Sequence, residues 1–233
     1  MILLVDADSL VFASCYSGGE EKYFTKIENS IGKFDEQFME IVNRLEEQYN
    51  IKDVITFNGS RGNFRKKINP TYKANRKKQD LPPLLFEMHQ YVKDNYNSVY
   101  GYGIETDDLV ARYWKNLSDE IGRDNVMIIS LDKDYKQFPA LIYNYHYKHK
   151  CIYDISEESA LYNFYEQMIM GDQADNVNYF YGKGRAFAKK YYVGCKTKFQ
   201  YTKKLFKLFK QQYKSKAREK YIECYNLLKL RTQ

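Results

Sequence analysis

Acidic residues recur where short apolar runs end, and this pattern narrows the folds open to the chain. Asp6 and Asp8 follow ILLV, and Glu105, Asp107 and Asp108 follow SVYGYGI. Asp132 and Asp134 follow NVMIIS, and Asp172 and Asp175 sit in GDQADN at helical spacing, so they could share one face toward the other acids. Each apolar run has the length and composition of a buried strand. Between the runs lie stretches with helical spacing. Phe34, Phe38, Ile41, Val42 and Leu45 share one helical face ahead of the strand DVITF at 53–57. Pro82 and Pro83 suit the first turn of a helix running to about Asn95. Thr106 is a capping candidate for TDDLVARYWKNL. DKDYKQF reads as a short turn or helix, LIYNY as a fifth strand, and CIYDI as its neighbour near the sheet edge. Strands alternating with helices predict an α/β fold, with a mainly parallel, right-handed central sheet flanked by helices.

From Ser156 the pattern turns helical. SEESALYNFYEQMIM is followed by a glycine-bearing turn, RAFAKKYY, and two lysine-rich amphipathic helices near 197–213 and 215–230. The expected organisation is an α/β core over 1–155 and a helical region over 156–233 that share one interface. No internal repeat or low-complexity linker interrupts it.

In an open parallel sheet the carboxyl ends of the strands converge on one crevice. Asp6, Asn58, Glu105 and Asp132 each fall at or just past such an end, and Asp107 and Asp134 follow two residues later. A lone Asp after a strand is ordinarily a cap or turn residue. The whole set, in a chain of net charge +7, is better explained by cations that relieve its repulsion. Hard divalent ions such as Mg²⁺ take oxygen ligands, and with no Cys or His beside the acids zinc is disfavoured. Two such ions about 4 Å apart can activate water and stabilise the leaving oxygen of a phosphodiester. The basic segment RGNFRKKINPTYKANRKK, from Arg61 to Lys78, lies between two arms of the acidic set and supplies phosphate-binding candidates. Gly182 and Gly184 flank Lys183 ahead of a helix, a turn suited to a DNA phosphate.

The other composition features say less. The 24 tyrosines could form base-stacking surfaces, although a genome poor in G and C would also enrich Tyr, Lys and Asn. Cys15, Cys151, Cys195 and Cys224 are scattered without metal-ligand spacing and read as reduced thiols. No apolar run approaches a membrane span, so a soluble, cytoplasmic protein with no membrane partner is expected.

Taken together, these motifs resemble the 5′-nuclease superfamily, a PIN-like group. It includes phage 5′-to-3′ exonucleases, flap endonucleases and the 5′-nuclease domain of bacterial DNA polymerase I. VDADSLVF at 5–12 is similar to the family's opening Asp motif, and FNGSRGNFRKKINPTYKANR at 57–76 to its Phe-Arg and Tyr-Lys-x-Asn-Arg block. IETDD at 104–108 resembles Glu-x-Asp-Asp, and SLDKDYKQF at 130–138 resembles the Asp-Lys-Asp motif. GDQADNV with GKGRA downstream resembles Gly-Asp-x-x-Asp-Asn and the helix–three-turn–helix. The match runs in order from about residue 2 to 192, and Asp8 and the compact middle look most like a short phage exonuclease.

The resemblance implies a two-metal 5′-to-3′ exodeoxyribonuclease acting on double-stranded DNA, in the setting of phage replication or recombination. It implies Asp6 and Glu105 at the metal nearer the attacking water. Asp107, Asp132, Asp134, Asp172 and Asp175 would serve the second metal, with Asp108 in support and Asp8 as a further candidate. Lys73 and Arg76 would grip the scissile phosphate, and Tyr72 would stack on a terminal base. Arg61, Arg65, Lys66, Gly182, Lys183, Gly184 and Arg185 complete the implied DNA contacts. The implied cofactors are two Mg²⁺, with Mn²⁺ as an alternative ion and K⁺ at the glycine turn. The implied partners of a monomer are duplex ends, nicks, flaps and RNA–DNA hybrids, in the host cytoplasm if the protein is viral. The family commonly has Asp where this chain has Asn58, and Pro-Gly where it has Asn178 and Tyr179. The short stretch from Arg76 to Glu105 favours trimming of duplex ends over flap cutting. The alternatives are a flap endonuclease or RNase H-type primer-removing nuclease, and a catalytically weak DNA-binding member of the fold.

Overall fold

The computed structural model describes residues 1–16, 23–76 and 81–233. Lys77 and Lys78, the end of the basic segment, lie outside the described residues. Among those described, six strands form one sheet in the order β3-β2-β1-β4-β5-β6. They are β1 (Ile2–Asp6), β2 (Asp53–Phe57), β3 (Ser98–Val99), β4 (Val126–Ile129), β5 (Leu141–Asn144) and β6 (Cys151–Asp154). All neighbours pair in parallel except β5 with β6, which is antiparallel. The expected mainly parallel α/β architecture is therefore present.

The central strands are apolar on both faces because helices cover both. Leu3 and Val5 on β1, with Met127 and Ile129 on β4, pack against α1 (Asp8–Ser14), α2 (Tyr23–Glu46) and α4 (Leu85–Asn95). On the other face Leu4 and Ile128 meet Leu109, Val110 and Trp114 of α5 (Thr106–Ile121), and Leu230 from the end of the chain. A fully buried side chain of this kind contributes roughly 1.5–3 kcal/mol. A third cluster joins α6 (Glu157–Met170), α7 (Arg185–Tyr191), α8 (Lys198–Tyr213) and α9 (Ala217–Leu228). In α8, Tyr201, Leu205, Leu208 and Phe209 are buried. Tyr72 reaches this cluster from the basic segment.

Three local expectations change. The strand read from SVYGY is only Ser98–Val99, continued by an isolated bridge between Arg61 and Tyr102. The prolines at 82 and 83 precede α4, which begins at Leu85, rather than opening it. Thr106 does not cap α5. It is the helix's first residue, and its hydroxyl donates to Asp8 Oδ2 at 2.7 Å.

One buried charge ties these layers together. Arg65, in the short helix α3 (Arg65–Ile68), is 1% exposed. Its Nη1 donates to Asp108 Oδ2 at 2.6 Å and to Glu105 Oε2 at 2.7 Å. Its Nη2 donates to Asp108 Oδ1 at 2.8 Å and the Lys229 carbonyl at 3.1 Å, and its Nε donates to the Leu227 carbonyl at 3.0 Å. Removing one member of a buried pair strands the other, at about 3–5 kcal/mol. Arg65→Ala should therefore lower the unfolding free energy by about that amount in denaturant titration. Arg65→Lys should recover only part, since an ammonium cannot reproduce the planar fork. An Arg65→Ala protein as stable as wild type would contradict this anchoring role.

Candidate metal and nucleic-acid site

Four separate stretches of chain bring their carboxylates to the carboxyl edge of the sheet. Asp6 ends β1, and its Oδ2 accepts from Tyr135 at 2.9 Å and Ser130 at 3.2 Å. Asp8, one turn of chain later, accepts from the Gly59 amide at 2.8 Å as well as from Thr106, so it joins three strand-end loops. Glu105, Asp107 and Asp108 open α5 with ligand oxygens within 4.8 Å of one another. Asp132 caps the 3₁₀ turn at Lys133–Gln137, accepting the Asp134 amide at 2.8 Å.

Asp172 and Asp175 are not on a helical face, as their spacing suggested. They lie in a tight turn beyond α6, where Asp172 Oδ1 accepts the Ala174 amide at 2.8 Å and the Asp175 amide at 3.3 Å. Asp172 and Val177 exchange two backbone bonds of 2.8 Å across this turn. The exchange requires glycine at 171, where a Cβ would lie 2.1 Å from the Val177 carbonyl oxygen.

The block Asn69–Arg76 wraps this acidic turn. The Lys73 amide donates to the Asp175 carbonyl at 2.8 Å, Asn75 Nδ2 to the Gln173 carbonyl at 2.6 Å, and Asn176 Nδ2 back to the Thr71 carbonyl at 2.8 Å. Lys73 takes a left-handed backbone (φ 58°) to do so, a conformation costly for a residue with a Cβ. Its ammonium then bonds Glu105 and lies 3.7 Å from Asp175. Arg76 Nη2 reaches the same Asp175 carboxylate at 2.8 Å. The sequence block and the acidic turn are thus one structural unit.

Two assignments need correction. Arg65 cannot contact DNA, because it is buried and all its donors are used. Tyr72 cannot stack on a base, because it is 2% exposed within the helical cluster. Its hydroxyl instead bridges Asp175 at 2.6 Å and Glu105 at 3.2 Å, holding two distant acids together. Asp108 supports from behind: it is fully buried, both its oxygens serve Arg65, and Oδ1 also accepts the Arg231 amide. Asn58 is buried at the end of β2 and donates to Ser98 Oγ at 3.1 Å. Arg61, Lys66 and Arg76 are exposed, as are Gly182, Gly184 and Arg185, and Lys183 is half-buried. Gly182 has φ 74°, and a Cβ there or at Gly184 would meet nothing within 4 Å, so this turn presents an open face.

Sequence reasoning missed the cation at the other end of the ring. Lys133 Nζ bonds Asp172 and lies 3.3 Å from Asp134. Its place inside Asp-Lys-Asp was the available signal. Tyr135 and Gln167, which donates to Asp134 Oδ1 at 2.8 Å, left no signal, since both read as ordinary helix or core residues.

The electrostatics fit a cation site. Burial first, then the repulsion of Asp8, pushes Asp6 up to about 7. Burial and Asp132 push Asp134 to about 7 as well. Asp107 and Asp132 are also raised, chiefly by burial. Asp172 is desolvated too, but the Lys133 ammonium and two backbone amides hold it below the usual range. Among the described residues Asp6, Asp107 and Asp132 make no ion pair within 4 Å. An all-oxygen, desolvated, mutually repelling donor set suits hard divalent ions.

Residues 1–165 match the family described as 5′-3′ exonuclease, N-terminal resolvase-like domain. A protein of Buchnera aphidicola subsp. Acyrthosiphon pisum (strain APS), named 5′-3′ exonuclease, is 27% identical over 193 residues, covering 76% of this chain. The chain spans only 64% of that relative's length. Among solved structures, the bacteriophage T5 protein co-crystallised with metal ions aligns with a TM-score of 0.68 at 17% identity, over 97% of this chain and 88% of that one. A bacteriophage T5 flap endonuclease variant in a complex with DNA and metal ions aligns at 0.64 and 16% identity, with the same coverage of 97% and 88%. At such identity these likenesses show the fold.

Raised carboxylate pKa values fix the sign of the pH dependence. Between about pH 4 and 7 the folded chain holds protons on Asp6 and Asp134 that the unfolded chain releases. Their contribution to stability is therefore present at low pH and lost as pH rises through about 7. Without divalent metal, Tm should rise as pH falls from about 8 to about 5. Mg²⁺ should stabilise more at the higher pH, where it has fewer protons to displace. Calorimetry showing no effect of either variable would argue against a desolvated acidic ring.

Proposed function

Because the chain belongs to the 5′-3′ exonuclease family, we propose that it is a divalent-metal-dependent nuclease removing nucleotides from the 5′ ends of double-stranded DNA. The observation that carries this reading is the carboxylate ring, built from four stretches of chain and closed by the Lys73–Arg76 block. Asp6, Glu105, Asp107, Asp132, Asp134, Asp172 and Asp175 would hold two Mg²⁺ ions, and Asp8 lies close enough to assist. Bound there, Mg²⁺ would lower the pKa of water and stabilise the departing oxygen of the cut bond.

The chain's own residues do the rest. Asp108 and Arg65 fix the start of α5, so Glu105 and Asp107 keep their places. The Tyr72 hydroxyl holds Glu105 beside Asp175, and Tyr135 orients Asp6. Lys73 and Arg76 are the cations nearest Glu105 and Asp175, and they would turn to the substrate phosphate when metal takes over those carboxylates. On the far side, the open turn Gly182–Gly184, with Lys183 and Arg185, would bind duplex backbone, and K⁺ there would strengthen that contact.

Residues 1–155 would form the metal-binding nuclease core and 156–233 the duplex-binding region, which also lends Asp172 and Asp175 to the metal site. A monomer acting in phage DNA replication or recombination is the setting in which a compact enzyme of this form fits. RNA–DNA hybrids, nicks and flaps are further substrates to test.

An end-labelled panel of duplex, flap and RNA–DNA hybrid, with and without Mg²⁺, tests the activity. Mg²⁺-dependent release from 5′ ends is expected, and release from 3′ ends alone would sink the reading. Asp132→Ala should abolish cleavage yet retain the wild-type circular dichroism spectrum and DNA affinity. A protein that binds branched DNA but cuts nothing with Mg²⁺ or Mn²⁺ would favour the non-catalytic alternative. Arg76→Ala should weaken binding to all sequences alike and reduce the slope of log K against log salt by about 1. An unchanged slope would remove Arg76 from the phosphate contacts.

A further inference from the structure

A chain of side-chain amides runs from the end of α9 to the carboxylate ring, and the assignments above leave it without a role. Gln137, the last residue of the 3₁₀ turn at Lys133–Gln137, is buried. Its Nε2 donates to the Leu228 carbonyl at 2.8 Å and to Gln167 Oε1 at 3.1 Å, and its Oε1 accepts the Leu230 amide at 3.3 Å. Gln167, half-buried on α6, in turn donates from Nε2 to Asp134 Oδ1 at 2.8 Å.

The backbone sets the direction of this chain. A carboxamide presents a donor on one side and an acceptor on the other. A backbone N–H can only donate and a C=O can only accept, so Leu230 and Leu228 fix which side of Gln137 carries Nε2. Turning that amide over would set donor against donor and acceptor against acceptor, and a buried polar group left unpaired costs about 1–3 kcal/mol. With Nε2 of Gln137 facing Gln167, the Gln167 Oε1 must face back to it. The Gln167 donor is thereby left pointing at Asp134. The polarity of a hydrogen bond at the ring is thus decided by two backbone groups 91 and 93 residues beyond Gln137.

Ordinary packing does not require the last link. Asn163 Nδ2 already fastens the 3₁₀ turn to α6, donating to the Lys136 carbonyl at 3.0 Å. What the Gln167 link adds lies on Asp134. The side-chain contacts of that carboxylate, from Gln167 at 2.8 Å and from Lys133 Nζ at 3.3 Å, both fall on Oδ1. Among the described residues Oδ2 accepts no hydrogen bond and is open to a cation. Under the proposed function Lys133 would yield to metal. Gln167 would then be the one side-chain donor, among the described residues, still holding the carboxylate. We propose that Gln167 is a positioning residue, its donor aimed at Asp134 by Gln137 and the chain's last turn, and that it keeps Asp134 Oδ2 free for a divalent ion. This rests on the nuclease reading and extends it: the docking of residues 228–230 becomes a condition for metal affinity.

Mn²⁺ binding to the DNA-free protein, followed by electron paramagnetic resonance, tests the relay without cleavage. Gln167→Leu keeps the bulk and removes the donor, and should raise the Mn²⁺ Kd about tenfold, the size usual for losing a hydrogen bond to a metal ligand. A purely structural Gln167 would shift the unfolding midpoint and leave Kd unchanged. Gln137→Met should also weaken Mn²⁺ binding, although it touches no carboxylate. The double variant should bind no more weakly than Gln167→Leu alone, because Gln137 acts through Gln167. Unchanged Kd in Gln167→Leu, or additive losses in the double variant, would overturn the proposal while leaving the nuclease reading untouched. Should Gln137→Met not fold, the Gln167→Leu result decides alone. If wild type binds no Mn²⁺, the nuclease reading fails and ¹⁵N spectra of the metal-free protein decide the relay. The Gln167 side-chain amide signals, identified by their absence in Gln167→Leu, should then shift in Asp134→Asn and in Gln137→Met. Signals that stay in place in either variant would overturn it.

Discussion

A single guanidinium underlies the geometry of the whole site. Arg65 carries five N–H groups, and each one has an acceptor: two carboxylates and two carbonyls from the chain's last helix and tail. A buried charge is tolerable only under such complete pairing. Its consequences extend in three directions. It holds Asp108 and Glu105 side by side at the start of α5, where their repulsion would otherwise separate them. It pins α9 and the residues after it against the α/β core. It also fixes where the basic segment begins, so that Tyr72 and Lys73 arrive at the acidic turn.

The ring beyond Arg65 is organised by conflict. Carboxylates from four parts of the chain are desolvated together, and Lys73, Arg76 and Lys133 offset only some of the charge. Lys73 adds backbone strain, since it holds a left-handed φ of 58° that only glycine adopts without steric cost. Local rules broken together at one place mark a site whose optimum lies in a bound state. The ammonium groups of Lys73 and Lys133 rest on the acids, where under the proposed function divalent cations would take their place. Substrate and metal would arrive as a charge-matched pair, with each making room for the other.

Much of this was legible in the sequence because periodicity and strand-end placement are local signals. ILLV, DVITF and NVMIIS specify buried parallel strands, and topology alone then gathers Asp6, Glu105 and Asp132. The acidic turn and the glycine turn were visible as residue types, but the helical spacing of Asp172 and Asp175 misled, because a glycine at 171 ends α6 just before them. The basic segment was misread in part for a different reason. A run rich in Arg and Lys looks like surface, and nothing local distinguishes Arg65, which is buried, from Lys66, which is exposed. Only the tertiary partners, Asp108 some forty residues on and the carbonyls of the chain's last helix, make that distinction.

The strand order also explains why the site is acidic at all. In a sheet ordered 3-2-1-4-5-6, the chain turns outward in opposite directions on either side of β1 and β4, leaving a crevice at their carboxyl ends. Folds that bind phosphate directly in this crevice place glycines after β1, so that backbone amides and a helix start face the anion. Here Asp6, Ala7 and Asp8 occupy that turn, and α1 starts on a carboxylate. The same topology is thereby converted from an anion cradle to a cation cradle. A phosphate can approach only with cations between it and the ring, or with Lys73 and Arg76 reaching over it. Under the proposed function, that requirement would join metal dependence to phosphodiester chemistry at this position in the fold. It would also confine direct phosphate contacts to the margins of the crevice, such as the open glycine turn.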